Sequence, residues 1–152
     1  MSLNEDDIRR QSGAVVTAAD VSALDTELVD LVRATREPLL IDSHAVTKER
    51  FGFRVTAFSL PMLQALNPDF IFCLYTSAQT TVARISADPM GRPTVTEAEA
   101  TFHTTLQAQL AIQYGVLLGR PVYLLDSERP THELVGEITR RAAIETTATA
   151  SG

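Results

Sequence analysis

Cysteine and lysine are the scarce residues of this chain. One cysteine, Cys73, stands in 152 residues, so there is no internal disulfide and no Cys-x-x-Cys metal site. That pattern fits a reducing, cytoplasmic setting. Tryptophan is absent. No apolar run approaches the ~20 residues of a membrane-spanning helix. The N-terminal stretch Met1-Ser2-Leu3-Asn4-Glu5-Asp6-Asp7 has no hydrophobic core of a secretory signal. Basic excess is missing too: the net charge is −6, which argues against a general nucleic-acid binder.

Twelve arginines accompany a single lysine, Lys48. A phosphate-binding P-loop needs Gly-x-x-x-x-Gly-Lys-Ser/Thr. Lys48 sits between Thr47 and Glu49, and the seven glycines form no Gly-rich loop. The sequence therefore contains no Walker-type phosphate cradle.

What is present reads as one α/β domain. Apolar residues make up 45% of the chain, enough for a core. Val21, Leu24, Leu28 and Leu31 recur at helical spacing and predict a helix over 18–36, with Thr17 and Asp20 as its start signal. Pro38 stops it. Leu39-Leu40-Ile41-Asp42 is a short continuous apolar run, as expected for a strand buried in a parallel sheet. Residues 43–60 read as a long loop with Gly52 at a turn, followed by a short helix through Leu66. Residues 69–75 predict a second strand, and Ser77 the cap of a helix of about ten residues. A turn-rich break covers 88–93. Thr94 with Glu97 and Thr96 with Glu99 offer two overlapping capping boxes for a long helix ending at Gly119. A third strand over 121–126 and a last helix through about Ala143 complete the domain, 4–143. Residues 144–152 read as a disordered tail. Strands alternating with helices imply a parallel sheet.

Two groups of residues suggest chemistry. Asp42 closes a strand, and ligands of open α/β sheets bind beyond the carboxyl ends of the strands. An acid there can hold Mg²⁺ through water. His44, two residues on, would share its face if the strand continued. The competing reading makes Asp42 a turn cap and His44 its local partner. Arg9, Arg50, Arg54, Arg84 and Arg92 all fall in or beside expected loops. Guanidinium suits bidentate phosphate recognition, while solvated surface charges are the plainer alternative. His103 and His132 are isolated and read as helix-face polar residues. No zinc spacing and no Gly-x-Ser-x-Gly elbow occurs.

The order of segments resembles the archaeal-type adenylate kinases. Leu40-Ile41-Asp42-Ser43-His44, Leu60-Pro61 and Leu66-Asn67-Pro68-Asp69-Phe70 are similar to that family's Ile-Asp-Thr-His, Gly-Leu-Pro and Leu-Asn-Pro-Asp segments. Tyr75-Thr76-Ser77, Arg84 and Tyr114-Gly115-Val116-Leu117-Leu118-Gly119 continue the likeness. Asp6-Asp7-Ile8-Arg9-Arg10 resembles the family's monophosphate-site segment. The match spans roughly residues 5–142.

The resemblance implies a three-layer P-loop nucleoside-monophosphate kinase fold with a parallel sheet. The implied activity is phosphoryl transfer from ATP-Mg²⁺ to a nucleoside monophosphate or similar phosphorylated small molecule. It casts Asp42 as the Mg²⁺-side acid, Arg9 on the acceptor phosphate, Arg84 at the base of the lid and Arg92 within it. His44, Arg50 and Arg54 would then serve the acceptor. The family's first strand, P-loop and second strand have no counterpart here. Ala108 replaces a family arginine on the long helix, and the lid holds only Arg92. The expectation is therefore the C-terminal portion of such a kinase, truncated and inactive by itself. The alternative is a non-catalytic nucleotide- or protein-binding module that self-associates as a homo-oligomer.

Overall fold

The computed structural model describes residues 18–87 and 93–150. It is a mixed α/β arrangement of five helices and two small sheets, one of them parallel.

Helix α1 (Ala18–Ala34) packs against α2 (Leu60–Leu66). Val29, Met62 and Leu66 form a buried cluster there, with Leu28, Val32, Phe58 and Ala65 around it. Both ends of α2 follow from its sequence. The Ser59 side chain accepts the amide of Met62, a proline occupies the first turn, and Asn67 closes the helix in the left-handed region at φ 43°.

Residues 43–60 depart from the expected loop. Val46–Glu49 (β1) and Gly52–Val55 (β2) pair as an antiparallel hairpin with Arg50 and Phe51 at its tip. Thr47, Phe53 and Val55 are β-branched or aromatic, which favours strands, but the run alternates too briefly to stand out from loop sequence.

Leu39–Asp42 is the reverse case. Residues 35–45 form neither helix nor strand, and Leu40 is 82% exposed. A short apolar run becomes a strand only beside a partner ladder, and none of the described strands pairs with it.

The parallel sheet consists of β3 (Ile71–Tyr75) and β4 (Val122–Asp126), registered with Cys73 beside Leu124. The chain between them forms α3 (Ala78–Ala87) and the long α4 (Glu97–Leu118). Helix α4 touches α2, α3, β1, β3 and β4 and so organises the molecule. Its start is the capping box expected from Thr96 and Glu99. Its end is Gly119 in the left-handed region, at φ 64°. Gly115 serves a different purpose: a Cβ there would press on the Val122 side chain and lie 2.9 Å from the Arg120 carbonyl oxygen. The close approach of α4 to the start of β4 depends on that missing methyl.

The last helix, α5 (Thr131–Ala150), runs past the expected end near Ala143 and takes in most of the stretch read as a disordered tail. Threonine and alanine are tolerated in a helix once it is nucleated, which composition alone understates. The Arg141 guanidinium lies 5.0 Å from the Tyr123 ring centroid, linking α5 to β4. No described helix is long and apolar enough to cross a membrane.

The expected three-stranded sheet is thus replaced by a two-stranded parallel sheet and a separate hairpin. Ile71 N donates to Pro121 O and Ser127 N donates to Tyr75 O. Backbone groups alternate along a strand, so those of Phe72 and Leu74 point to the outer edge of β3, where no described strand pairs.

Candidate functional site

The carboxyl ends of β3 and β4 carry a cluster of side-chain hydrogen bonds. Past β3, Ser77 caps α3 by accepting the Thr80 amide at 3.2 Å. Past β4, the chain turns through Ser127 and Glu128. The Glu128 carboxylate accepts the Ser77 amide and the Thr76 hydroxyl, both at 2.9 Å. Its own amide donates to Asp126 Oδ1 at 2.9 Å. These bonds, those from Ser77 foremost and then from Thr76 and Thr80, hold the Glu128 carboxyl well below the usual range, at about 2.

Arg84 projects from the last turn of α3 into this cluster, where Nη2 donates to the Ser127 carbonyl oxygen at 3.1 Å. A guanidinium has five N–H donors, so one bond leaves donors for a ligand. The expected lid-base arginine therefore stands where open α/β sheets take ligands.

The other expected residues are dispersed. Asp42 and His44 lie in the extended segment before β1, with side chains 88% and 80% exposed. His44 Nδ1 is 3.8 Å from Asp42 Oδ1, so the two are neighbours without the strand that was to align them. Arg50 is at the exposed hairpin tip, and Arg54 on β2 pairs with Glu49 across the hairpin at 3.2 Å. Arg9 and Arg92 lie outside the described residues, as do Thr17 and the 88–92 part of the turn. No group of three His, Cys, Asp or Glu able to hold a metal occurs among the described residues.

Sequence reading missed Glu128 and its partners. The signal was available: Asp126-Ser127-Glu128 ends a strand in an acid just as Ile41-Asp42 was thought to. Lys48 also has a role the sequence did not suggest. Its ammonium pairs with Glu99 at 2.9 Å and lies 5.2 Å from the Phe53 ring centroid. Hydrogen bonds from Lys48, then from Thr96, lower the Glu99 carboxyl to about 2. The Phe53 ring is 5.5 Å from that of Phe102 and 5.8 Å from that of His103. His103 Nε2 lies 2.9 Å from the Val46 carbonyl oxygen, an acceptor, so that nitrogen carries the proton. Lys48 and His103 thus fasten the hairpin to α4.

No protein-family model matches this chain, and no curated protein matches it.

Proposed function

We propose that this chain is the C-terminal portion of an adenylate-kinase-like P-loop kinase, one that moves a phosphoryl group from ATP-Mg²⁺ to a nucleoside monophosphate or similar small acceptor. The observation that carries the reading is Arg84 at the carboxyl end of β4, 3.1 Å from the Ser127 carbonyl. It supports a phosphate-facing guanidinium at the sheet end, in a chain whose segment order resembles that family across most of its length.

In this reading, catalysis is positioning and charge neutralisation rather than covalent chemistry. Arg84 and Arg92 draw on the transferring phosphates, and Arg9 holds the acceptor phosphate. His44, Arg50 and Arg54 contact the acceptor from the extended segment and the hairpin that follows it. Asp42 offers one exposed carboxylate. A single carboxylate suits an Mg²⁺ that keeps most of its water and is held mainly by nucleotide phosphates, and it does not suit an all-protein cage. When bound with ATP, Mg²⁺ would neutralise charge on the phosphates. The β- and γ-phosphates find no Gly-x-x-x-x-Gly-Lys cradle in this sequence, so the polypeptide alone is expected not to turn over.

Calorimetric titration with AMP, beside a coupled assay with ATP and AMP, tests both halves. The expected result is AMP binding that Arg9→Ala abolishes, with no turnover. Failure of every adenine nucleotide to bind sinks the site. Turnover at a rate ordinary for kinases sinks the claim of inactivity.

One observation favours a second reading, a non-catalytic module that self-associates. The outer edge of β3 pairs with no described strand, and its sequence, Ile-Phe-Cys-Leu-Tyr, has neither proline nor charge to protect it.

A further inference from the structure

Asp126 ends β4 opposite Tyr75 of β3, and its carboxylate turns back on its own chain. Oδ1 accepts the amide of Glu128, two residues on, at 2.9 Å. Aspartate commonly shapes a turn by this local bond. Here the bond also sets a direction. The Glu128 N–H and the Ser127 carbonyl belong to one planar trans peptide, so they point opposite ways. With the N–H held on Asp126, the carbonyl faces away from that carboxylate. Arg84 meets it there, its Nη2 donating to the Ser127 carbonyl oxygen at 3.1 Å.

Two further tethers hold the turn against β3 and α3. Ser127 N donates to Tyr75 O at 2.8 Å. The Glu128 carboxylate accepts the Ser77 amide and the Thr76 hydroxyl. Neither tether bonds the peptide between Ser127 and Glu128, and rotation of such a central peptide is what separates one turn type from another. The Asp126 bond is the one that fixes it. We infer that Asp126 is a positioning residue: through the Ser127–Glu128 peptide it aims the carbonyl that holds the Arg84 guanidinium at the carboxyl end of the sheet. The inference deepens the proposed function and rests on it for the ligand, a nucleotide phosphate. Arginine has a long, rotatable stem, and ordering it on binding counts against affinity. A guanidinium already held by Ser127 loses less freedom when a phosphate arrives, and its other N–H groups remain to donate. The task asks Asp126 only for an acceptor oxygen, which asparagine also has.

Two measurements on the full chain test this, ¹⁵N relaxation at Arg84 Nε and calorimetric titration with ATP-Mg²⁺. Asp126→Ala should make the Arg84 side chain mobile and weaken ATP about fivefold, or about 1 kcal/mol. Its far-UV circular dichroism should remain that of the native chain. Asp126→Asn should restore both the ordered guanidinium and the native affinity. In an Arg84→Ala background, Asp126→Ala should weaken ATP no further, because the two changes act through one contact. An Arg84 that stays ordered in Asp126→Ala overturns the proposal. A further loss of affinity in the Arg84→Ala background overturns it too, since Asp126 would then act elsewhere. If Asp126→Asn is as damaging as Asp126→Ala, the carboxylate charge matters and positioning is refuted. A native chain that binds no ATP counts against the kinase reading, while the relaxation of Arg84 in the alanine and asparagine variants still decides the role of Asp126.

Discussion

The Glu128 carboxylate accepts the backbone amide of Ser77 at 2.9 Å, across a sequence separation of 51 residues. That bond closes the carboxyl end of the parallel sheet, because Glu128 follows β4 and Ser77 opens α3 after β3. It also places a negative charge at a helix N-terminus, where the dipole favours it.

The pairing predicts acid sensitivity. A carboxyl held at about 2 in the folded chain, against an ordinary value of 4.5, stabilises the fold above pH 4.5. That contribution is lost as pH falls from there through about 2. Glu128→Gln should lower the melting temperature at neutral pH, and the difference from the native chain should shrink across that acid window. Thermal unfolding followed by circular dichroism measures it. A difference that stays constant from pH 7 to pH 2 would contradict the assignment.

Gly115→Ala tests the contact between α4 and β4. By helix propensity alone alanine should stabilise by somewhat under ~1 kcal/mol. The new methyl instead meets Val122 and the Arg120 carbonyl, and overpacking of this kind costs about 1–3 kcal/mol. Net destabilisation in urea unfolding is expected, with partial recovery in the double variant Gly115→Ala/Val122→Ala. Stabilisation by the single change would mean that the helix does not approach the strand so closely.

Tyr114→Phe removes one atom with a defined partner. The Tyr114 hydroxyl accepts the Phe58 amide at 2.9 Å, and the two rings lie 6.1 Å apart. Burial pushes the Tyr114 hydroxyl up in pKa, with the Phe58 amide opposing it. The phenylalanine variant keeps the ring contact and leaves a part-buried amide unpaired, a loss of about 0.5–1.5 kcal/mol. Chemical denaturation of the two proteins gives the difference, and faster hydrogen exchange at the Phe58 amide identifies its source.

Arg84→Lys separates charge from geometry at the sheet end. If the guanidinium faces phosphate there, lysine keeps the charge but not the planar fork. Nucleotide affinity should drop about tenfold or more by calorimetry, while the melting temperature should move little because the bond to Ser127 is exposed. Unchanged affinity would remove Arg84 from the proposed site.

How much of this was legible beforehand depended on how local the cause is. The Thr96–Glu99 capping box and the Gly119 stop of α4 rest on groups within four residues of one another. They could be read directly. Leu39–Asp42 could not, because an apolar run is the same run whether or not a ladder forms beside it. The hairpin was hidden for the converse reason: its strands are four residues each, too short for alternation to declare itself. Arg84 was legible as a candidate by type, whereas Glu128 and Lys48 draw their roles from partners about fifty residues away.

By itself, then, the sequence determined the alternation of helices and strands, both ends of α4 and the absence of a P-loop motif. Each is a matter of composition or of spacing within a turn or two. Only the tertiary structure decided which strands pair, and that Lys48 and Glu128 join distant segments. Those outcomes depend on desolvation and hydrogen bonding between groups far apart in the chain, and the spacing of residues along one element does not contain that information.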